Sequence, residues 1–346
     1  MSLPLPEYGH LLGLIDDTGI YEHARYGVPR REHGYTLDDA SRALIVLCDG
    51  PDDERVVSAI RVLLSFTLDS MTEGGRFRNR LTFDRQWIEE QETGDTQGRA
   101  VWALAVTAVR GPRPDLRQAA ASALSEVPAI ESRHLRPLAY ASLGAHALWK
   151  PDLDDHIAMR FAAPMAVRMR DARRPWPETR LTYSNGRVAA AMLAAGEVLD
   201  DQDLIDRGLE ALSWLVDVEN RGSHLSFTPV GGWEPGEPKP GFDQQPVEAA
   251  AMSDACERAW MITGEMRWKR VVLRCGEWLQ GGNDSGVSMY ESATGATFDG
   301  LMEDGANSNS GAESTISGLA ILQACQRVSS GPSTLSDVRF GAGTQR

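Results

Sequence analysis

The sequence predicts an all-α fold, an (α/α)6 toroid or barrel with long loops at one end and a few short strands within those loops. Three observations predict it. Apolar residues recur with helical rather than strand period along nearly the whole chain. Alternate helices share one pattern, a polar start followed by an unusually small, apolar run. Connections alternate long and short, as they do when helical hairpins follow one another round a ring.

Helices are expected over 6–14, 37–48, 53–70, 96–110, 113–126, 133–148, 153–170, 186–199, 202–218, 246–263, 266–280 and 314–328, which makes six pairs. The repeating members read DDASRALIVLC from Asp38, DTQGRAVWALAV from Asp95, SRHLRPLAYASLGA from Ser132, SNGRVAAAMLAAG from Ser184, DQQPVEAAAMSDAC from Asp243 and NSGAESTISGLAIL from Asn309. Each opens on a capping-type residue and carries Arg or Glu about one turn in. Small residues on nearly every side belong to helices crowded on all faces, so these six form the inner ring. Their partners are more amphipathic; 53–70 sets Asp52, Asp53, Glu54, Arg55 and Arg61 around Val56, Ile60 and Leu64. Long segments lead into the inner helices (14–37, 71–95, 171–185, 219–245, 281–313), and short turns such as Gly50–Asp52 and Gly111–Pro112 lead out. The long loops therefore gather above the inner N-termini, and strand-like alternation is confined to pieces of them, 75–83 and 224–230. The toroid is expected to fill 1–328 as one domain, with a disordered Gly/Ser/Thr-rich tail over 329–346.

A net charge of -14 excludes a phosphate-backbone binder, which needs a basic face. Lys150, Lys239 and Lys269 are the only lysines among 35 basic residues, a skew of GC-rich, actinobacterial-like coding rather than of function. Cys48, Cys256, Cys275 and Cys325 lie far apart in apolar helices, without CxxC or Cys/His spacing, so a metal or redox centre is not expected. No phosphate-binding loop, GxSxG elbow, HExxH or DDxxD occurs. The start of the chain lacks a basic stretch before an apolar run, and no apolar span reaches membrane length, so a cytoplasmic protein without a membrane anchor or cofactor is expected.

The chemistry-bearing residues are those that the ring would bring together. Asp39, Asp95, Asp243, Glu248 and Glu313 are the candidate catalytic acids. His23, His33, Tyr35, Asp38, Arg42, Gln97, Arg99, Asn185, Arg187, Trp233, Gln244, Gln245, Asn307 and Asn309 are the candidate substrate contacts. Any one Asp or Asn here serves a helix as a cap as readily as it serves a ligand. What argues for more is redundancy: GFDQQP (241–246) carries three polar side chains before Pro246, itself a good first helical residue. Glu248 and Glu313 then fall just inside a buried ring, where an acid needs a partner. Paired acids in a sheltered cleft are what chemistry at a glycosidic bond requires, and burial would raise the pKa of Glu248 or Glu313 into the range of a general acid. Trp87, Trp176 and Trp233 lie in long loops, where a sugar face or loop packing are equal uses for them; Trp102, Trp149, Trp214, Trp260 and Trp278 lie in helices and read as core.

Five segments carry a resemblance: Asp17-Thr-Gly-Ile with His23, HGYTLDDASRAL from His33, GDTQGRAVW from Gly94, FDQQPVE from Phe242, and Asp299-Gly-Leu with NSNSGAEST from Asn307. Together they resemble a family of helical domains found alone or fused to, or encoded beside, glycosyltransferases and mannoside phosphorylases. The resemblance spans the chain to about residue 328. It implies a six-hairpin glycosidase-like toroid in glycan metabolism, with a carbohydrate ligand and a glycosyltransferase as a possible partner. Gln97 stands where the family is expected to carry His, a departure that favours a non-catalytic glycan-binding role for this member. Hydrolysis, phosphorolysis and epimerisation on the same fold remain the open alternatives.

Overall fold

The computed structural model describes residues 3–88, 94–150 and 154–331. In chain order its helices are α1 (Gly9–Gly13), α2 (Leu37–Cys48), α3 (Glu54–Ser70), α4 (Asp95–Arg110), α5 (Pro114–Glu126) and α6 (Leu135–Trp149). There follow α7 (Asp155–Met169), α8 (Asn185–Leu199), α9 (Gln202–Glu219), α10 (Pro246–Thr263), α11 (Met266–Leu279) and α12 (Ala312–Ser330). The even-numbered helices pack side by side in the order α2–α4–α6–α8–α10–α12, and α12 returns against α2 to close the ring. Each of α3, α5, α7, α9 and α11 packs outside the inner helix before it, and short α1 lies against α12. The fold is an (α/α)6 toroid. Among the described residues no group of three or more His, Cys, Asp or Glu is placed to hold a metal. Nor is any described helix long and apolar enough to cross a membrane. Of the expected tail, the residues from 332 onward lie outside the described ones.

The small residues of the inner helices have a steric cause. A Cβ built on Gly98 would lie 2.1 Å from the Pro137 carbonyl oxygen, and one on Gly186 would lie 2.4 Å from that of Ala251. At these points α4 meets α6 and α8 meets α10 with backbone nearly touching backbone, which no larger residue allows.

The long loops lie together at the N-terminal end of the inner ring and are stitched to one another. Tyr35 and Thr36 pair with Leu81 and Arg80, joining the first loop to the second. Bridges Leu181–Trp233 and Gln244–Leu301 join the third loop to the fourth and the fourth to the fifth. Ser310 N donates to the Tyr26 carbonyl at 2.9 Å and Ala312 N to that of Glu22 at 3.2 Å, which returns the fifth loop to the first. Four two-residue antiparallel pairs are the strands of this collar. Residues 224–230 form none of them; a single bridge, Asn220–Leu225, stands there instead.

Candidate functional site

Helix starts leave N–H groups unpaired, so the first question is whether the acids at the inner starts are caps. Most are not. The N-cap of α2 is Thr36, whose Oγ1 accepts from Asp39 N at 3.3 Å, and Asp38 and Asp39 follow it inside the first turn. Gly94, Ser184, Gln245 and Gly311 precede α4, α8, α10 and α12 without a side-chain cap of their own. Asp95, Glu248 and Glu313 lie within the helices and reach other partners.

For Asp95 and Glu313 those partners are arginines one turn in. Arg42 donates to Asp39 at 2.8 Å, lies 3.1 Å from Asp38, and reaches across to Glu313 of α12 at 2.6 Å. Arg99 of α4 bonds Asp38, meets Asp95 at 3.4 Å, and donates to Tyr140 Oη of α6 at 2.7 Å. Two guanidinium groups thus hold four carboxylates drawn from three helices, an excess of acid that leaves room for a proton. Asp39, 4% exposed, is the most buried of the four and the one whose ionisation burial opposes most visibly. Burial pushes its carboxyl up to about 7 against the pull of Arg42, with the charges of Asp38 and Glu313 adding to the rise. Asp38 behaves oppositely: burial opposes its ionisation, but Arg42 and Arg99 hold it below the usual carboxylate range. Glu313 is the most open member, its side chain 36% exposed, with Asp38 and Asp95 at 21% and 18%.

The belt continues on the other side of the ring. Tyr183, in the loop before α8, donates its phenol to Asp95 at 2.8 Å. Arg136 of α6 donates to the Tyr183 carbonyl at 3.0 Å and to Asn185 Oδ1 at 3.1 Å, and it pairs with Glu178. Glu248 of α10 receives the backbone N–H groups of Ser184 and Asn185 and the Asn185 amide at 3.0 Å. It supplies from a neighbouring helix the cap that α8 lacks. Burial pushes the Glu248 carboxyl up to about 7 in spite of these donors. Deeper in the pore Arg187 pairs with Asp254 and lies 4.8 Å over Trp102, which stacks on Tyr140 with centroids 6.3 Å apart. Trp102, read from sequence as core, is partly buried and faces this layer.

The remaining candidates are placed as follows. Gln97 is buried and clamps Phe77, accepting from its N–H at 3.2 Å and donating to its carbonyl at 2.9 Å. Gln244 is likewise buried, bonded to Phe227 N and Trp278 Nε1. Gln245 is the N-cap position of α10, and Asp243 beside it is exposed, its carbonyl accepting from Val230 N. Tyr35 is buried, its phenol on Asp16 at 2.6 Å. Asn307 and Asn309 shape their own loop: Asn307 accepts from Asn309 N, and Asn309 from Tyr26 N, both at 2.9 Å. His23 and His33 meet edge to face at 4.7 Å in the collar. Trp233 donates to the Glu237 carbonyl at 2.8 Å and stacks on Trp214, which stacks in turn on Trp176. Trp87 packs on Phe66 and beneath Arg78. The loop tryptophans serve packing.

Four belt residues escaped the sequence reading: Tyr140, Tyr183, Arg136 and Asp254. Arg136 had a signal in sequence, since it stands four residues after Ser132 as Arg99 stands four after Asp95, although in the structure it is the second residue of α6. The tyrosines had none, because their contacts run between helices.

No protein-family model and no curated protein sequence matches this chain. Solved structures do. A sugar epimerase from a ruminal bacterium is 13% identical, with 92% of this chain and 95% of that one covered and a TM-score of 0.69. The cellobiose 2-epimerase of Spirochaeta thermophila is 10% identical over 94% of each chain, TM-score 0.66. An α-1,6-mannanase of Salegentibacter, in complex with α-1,6-mannotriose, is 11% identical over 92% and 95%, TM-score 0.60. That form is a variant described as inactive, with two adjacent aspartates replaced by asparagine. At such identities the likeness establishes the toroid, a fold on which carbohydrate-active enzymes of both the glycosidase and the epimerase kind are built.

Proposed function

We propose that the chain is a glycosidase-like enzyme that cleaves an oligosaccharide at the mouth of the ring, with Asp95 and Glu313 as the acid–base pair. The observation that carries this is the sharing of Arg42 and Arg99 by Asp38, Asp39, Asp95 and Glu313. Acids from the starts of α2, α4 and α12 are neighbours, and Asp95 and Glu313, from two different helices, each share an arginine with Asp38, the aspartate held ionised. Glycosidic cleavage needs one carboxyl to protonate the leaving oxygen and another, opposite, to activate water or attack carbon. Asp38 supplies fixed negative charge for an oxocarbenium-like transition state, and Asp39 keeps a proton within the same network. Glu248, bound to three donors, is assigned to holding the start of α8.

The test is turnover on manno-, gluco- and arabino-oligosaccharides, following reducing ends with and without phosphate. Reducing ends that depend on Asp95 and Glu313 support the proposal; a panel without turnover refutes it. A second reading, epimerisation, is favoured by one feature, the adjacent imidazoles of His23 and His33, the side-chain type most often used as a general acid–base. It predicts an epimeric product with no new reducing end, lost on replacing either histidine.

A further inference from the structure

We infer that Tyr183 is the stacking platform of this site, taking one face of an uncharged pyranose ring, and that its phenol orients Asp95; this rests on the glycosidase reading above. Among the aromatic side chains of the collar, Trp87, Trp176 and Trp233 are engaged in packing. Tyr183 is 45% exposed at the acid belt itself. The Arg136 guanidinium lies 5.3 Å from the ring centroid, and the phenol donates to Asp95. A ring supported on a cation and exposed beside the Asp95 carboxylate is placed to receive the apolar C–H face of a sugar.

The backbone that presents it is built at a cost. Ser184 sits in the left-handed region, φ +46°, which an L side chain enters with strain. Three clamps hold it there. Arg136 bonds the Tyr183 carbonyl and the Thr182 hydroxyl from α6. Glu248 takes the Ser184 and Asn185 N–H groups from α10. Asn185 Oδ1 accepts from Thr182 N at 3.1 Å. A helix start needs one cap and no strain. Here contacts from α4, α6, α8 and α10 converge on one turn, and what that turn delivers is the Tyr183 ring. The ligand is uncharged because the belt arginines are already paired: Arg42 and Arg99 with the acids, Arg136 with Glu178 and Arg187 with Asp254.

The experiment compares Tyr183→Phe, Tyr183→Ala and Glu248→Gln with wild type on whichever oligosaccharide is cleaved, and measures binding of the same sugar in a Glu313→Gln background. Phe keeps the platform and loses the bond to Asp95, so kcat is expected to fall about tenfold with KM nearly unchanged. Ala also loses the face, so KM and the dissociation constant rise about tenfold. Glu248→Gln presents an amide donor to backbone N–H groups, releases the turn and raises KM in the same way. Wild-type KM and affinity in Tyr183→Ala, or unchanged kcat in Tyr183→Phe, overturns the inference while the glycosidase reading stands. Should Tyr183→Ala fail to fold, the Phe variant decides through its split between kcat and KM. A wild type that neither binds nor cleaves any sugar of the panel overturns both.

Discussion

Replacing Asp39 with Asn removes a proton that the folded protein holds too tightly. Its carboxyl is pushed up to about 7 by burial, from the ordinary 3.8 expected of the unfolded chain. A raised folded-state pKa means stability that is complete below pH 4 and drains away as pH rises toward and through 7. In that window the native state keeps a proton that the unfolded chain has released. The gap is about 3 units at about 1.4 kcal/mol each, so wild type loses about 4 kcal/mol that the Asn variant does not lose. For a chain of this length, with about 2.1 cal/mol/K of unfolding entropy per residue, that corresponds to about 5–6 °C in Tm. The assay is denaturant unfolding of both proteins at pH 4.5 and 8.5. Any fixed change appears at both pH values and cancels; what remains is a shift of about 3 kcal/mol in favour of Asp39→Asn at pH 8.5, since about 1 kcal/mol has already been lost by pH 4.5. Parallel stability–pH profiles for the two proteins would refute the account of a proton stored among these acids.

Asp95→Asn and Glu313→Gln should each lower kcat about 100- to 10,000-fold on a cleaved oligosaccharide while circular dichroism and Tm stay near wild type. Arg99→Leu leaves Asp95 without its arginine and Asp38 with Arg42 alone, and should destabilise the fold by about 3 kcal/mol, read from denaturant midpoints. Gly186→Ala puts a methyl group 2.4 Å from the Ala251 carbonyl oxygen and forces α8 off α10, at a cost of about 1–3 kcal/mol seen as a lowered Tm.

The helices were legible because their signals are local. α2 was expected over 37–48 and spans Leu37–Cys48; α9 was expected from 202 and starts at Gln202. α1 was expected over 6–14 but forms only Gly9–Gly13, since Glu7 takes the Gly9 N–H through its carboxylate and Asp16 draws the chain into a turn at Thr18 and Gly19. The meeting of acids from α2, α4 and α12 was legible too, through the repeated polar start and the arginine one turn in. Side-chain allegiance was not. Gln97 and Gln244 look in sequence like amides aimed at a ligand, yet their carbonyl and amide ends match the backbone of Phe77 and Phe227. The stacking residue was sought among tryptophans because nothing local distinguishes Tyr183. Its exposure depends on Ser184 adopting a left-handed conformation that Glu248, 64 residues onward, holds in place.

The most direct measurement is a crystal structure of Glu313→Gln soaked with a manno- or gluco-oligosaccharide. A sugar ring over the inner helix starts, with a glycosidic oxygen between Asp95 and position 313, is the predicted result, and the separation of the two groups would distinguish inversion from retention. A sugar seated elsewhere, such as the cavity of about 800 Å³ between Arg25, Tyr26, Arg30 and Asn309, with the acid belt unoccupied, would contradict it.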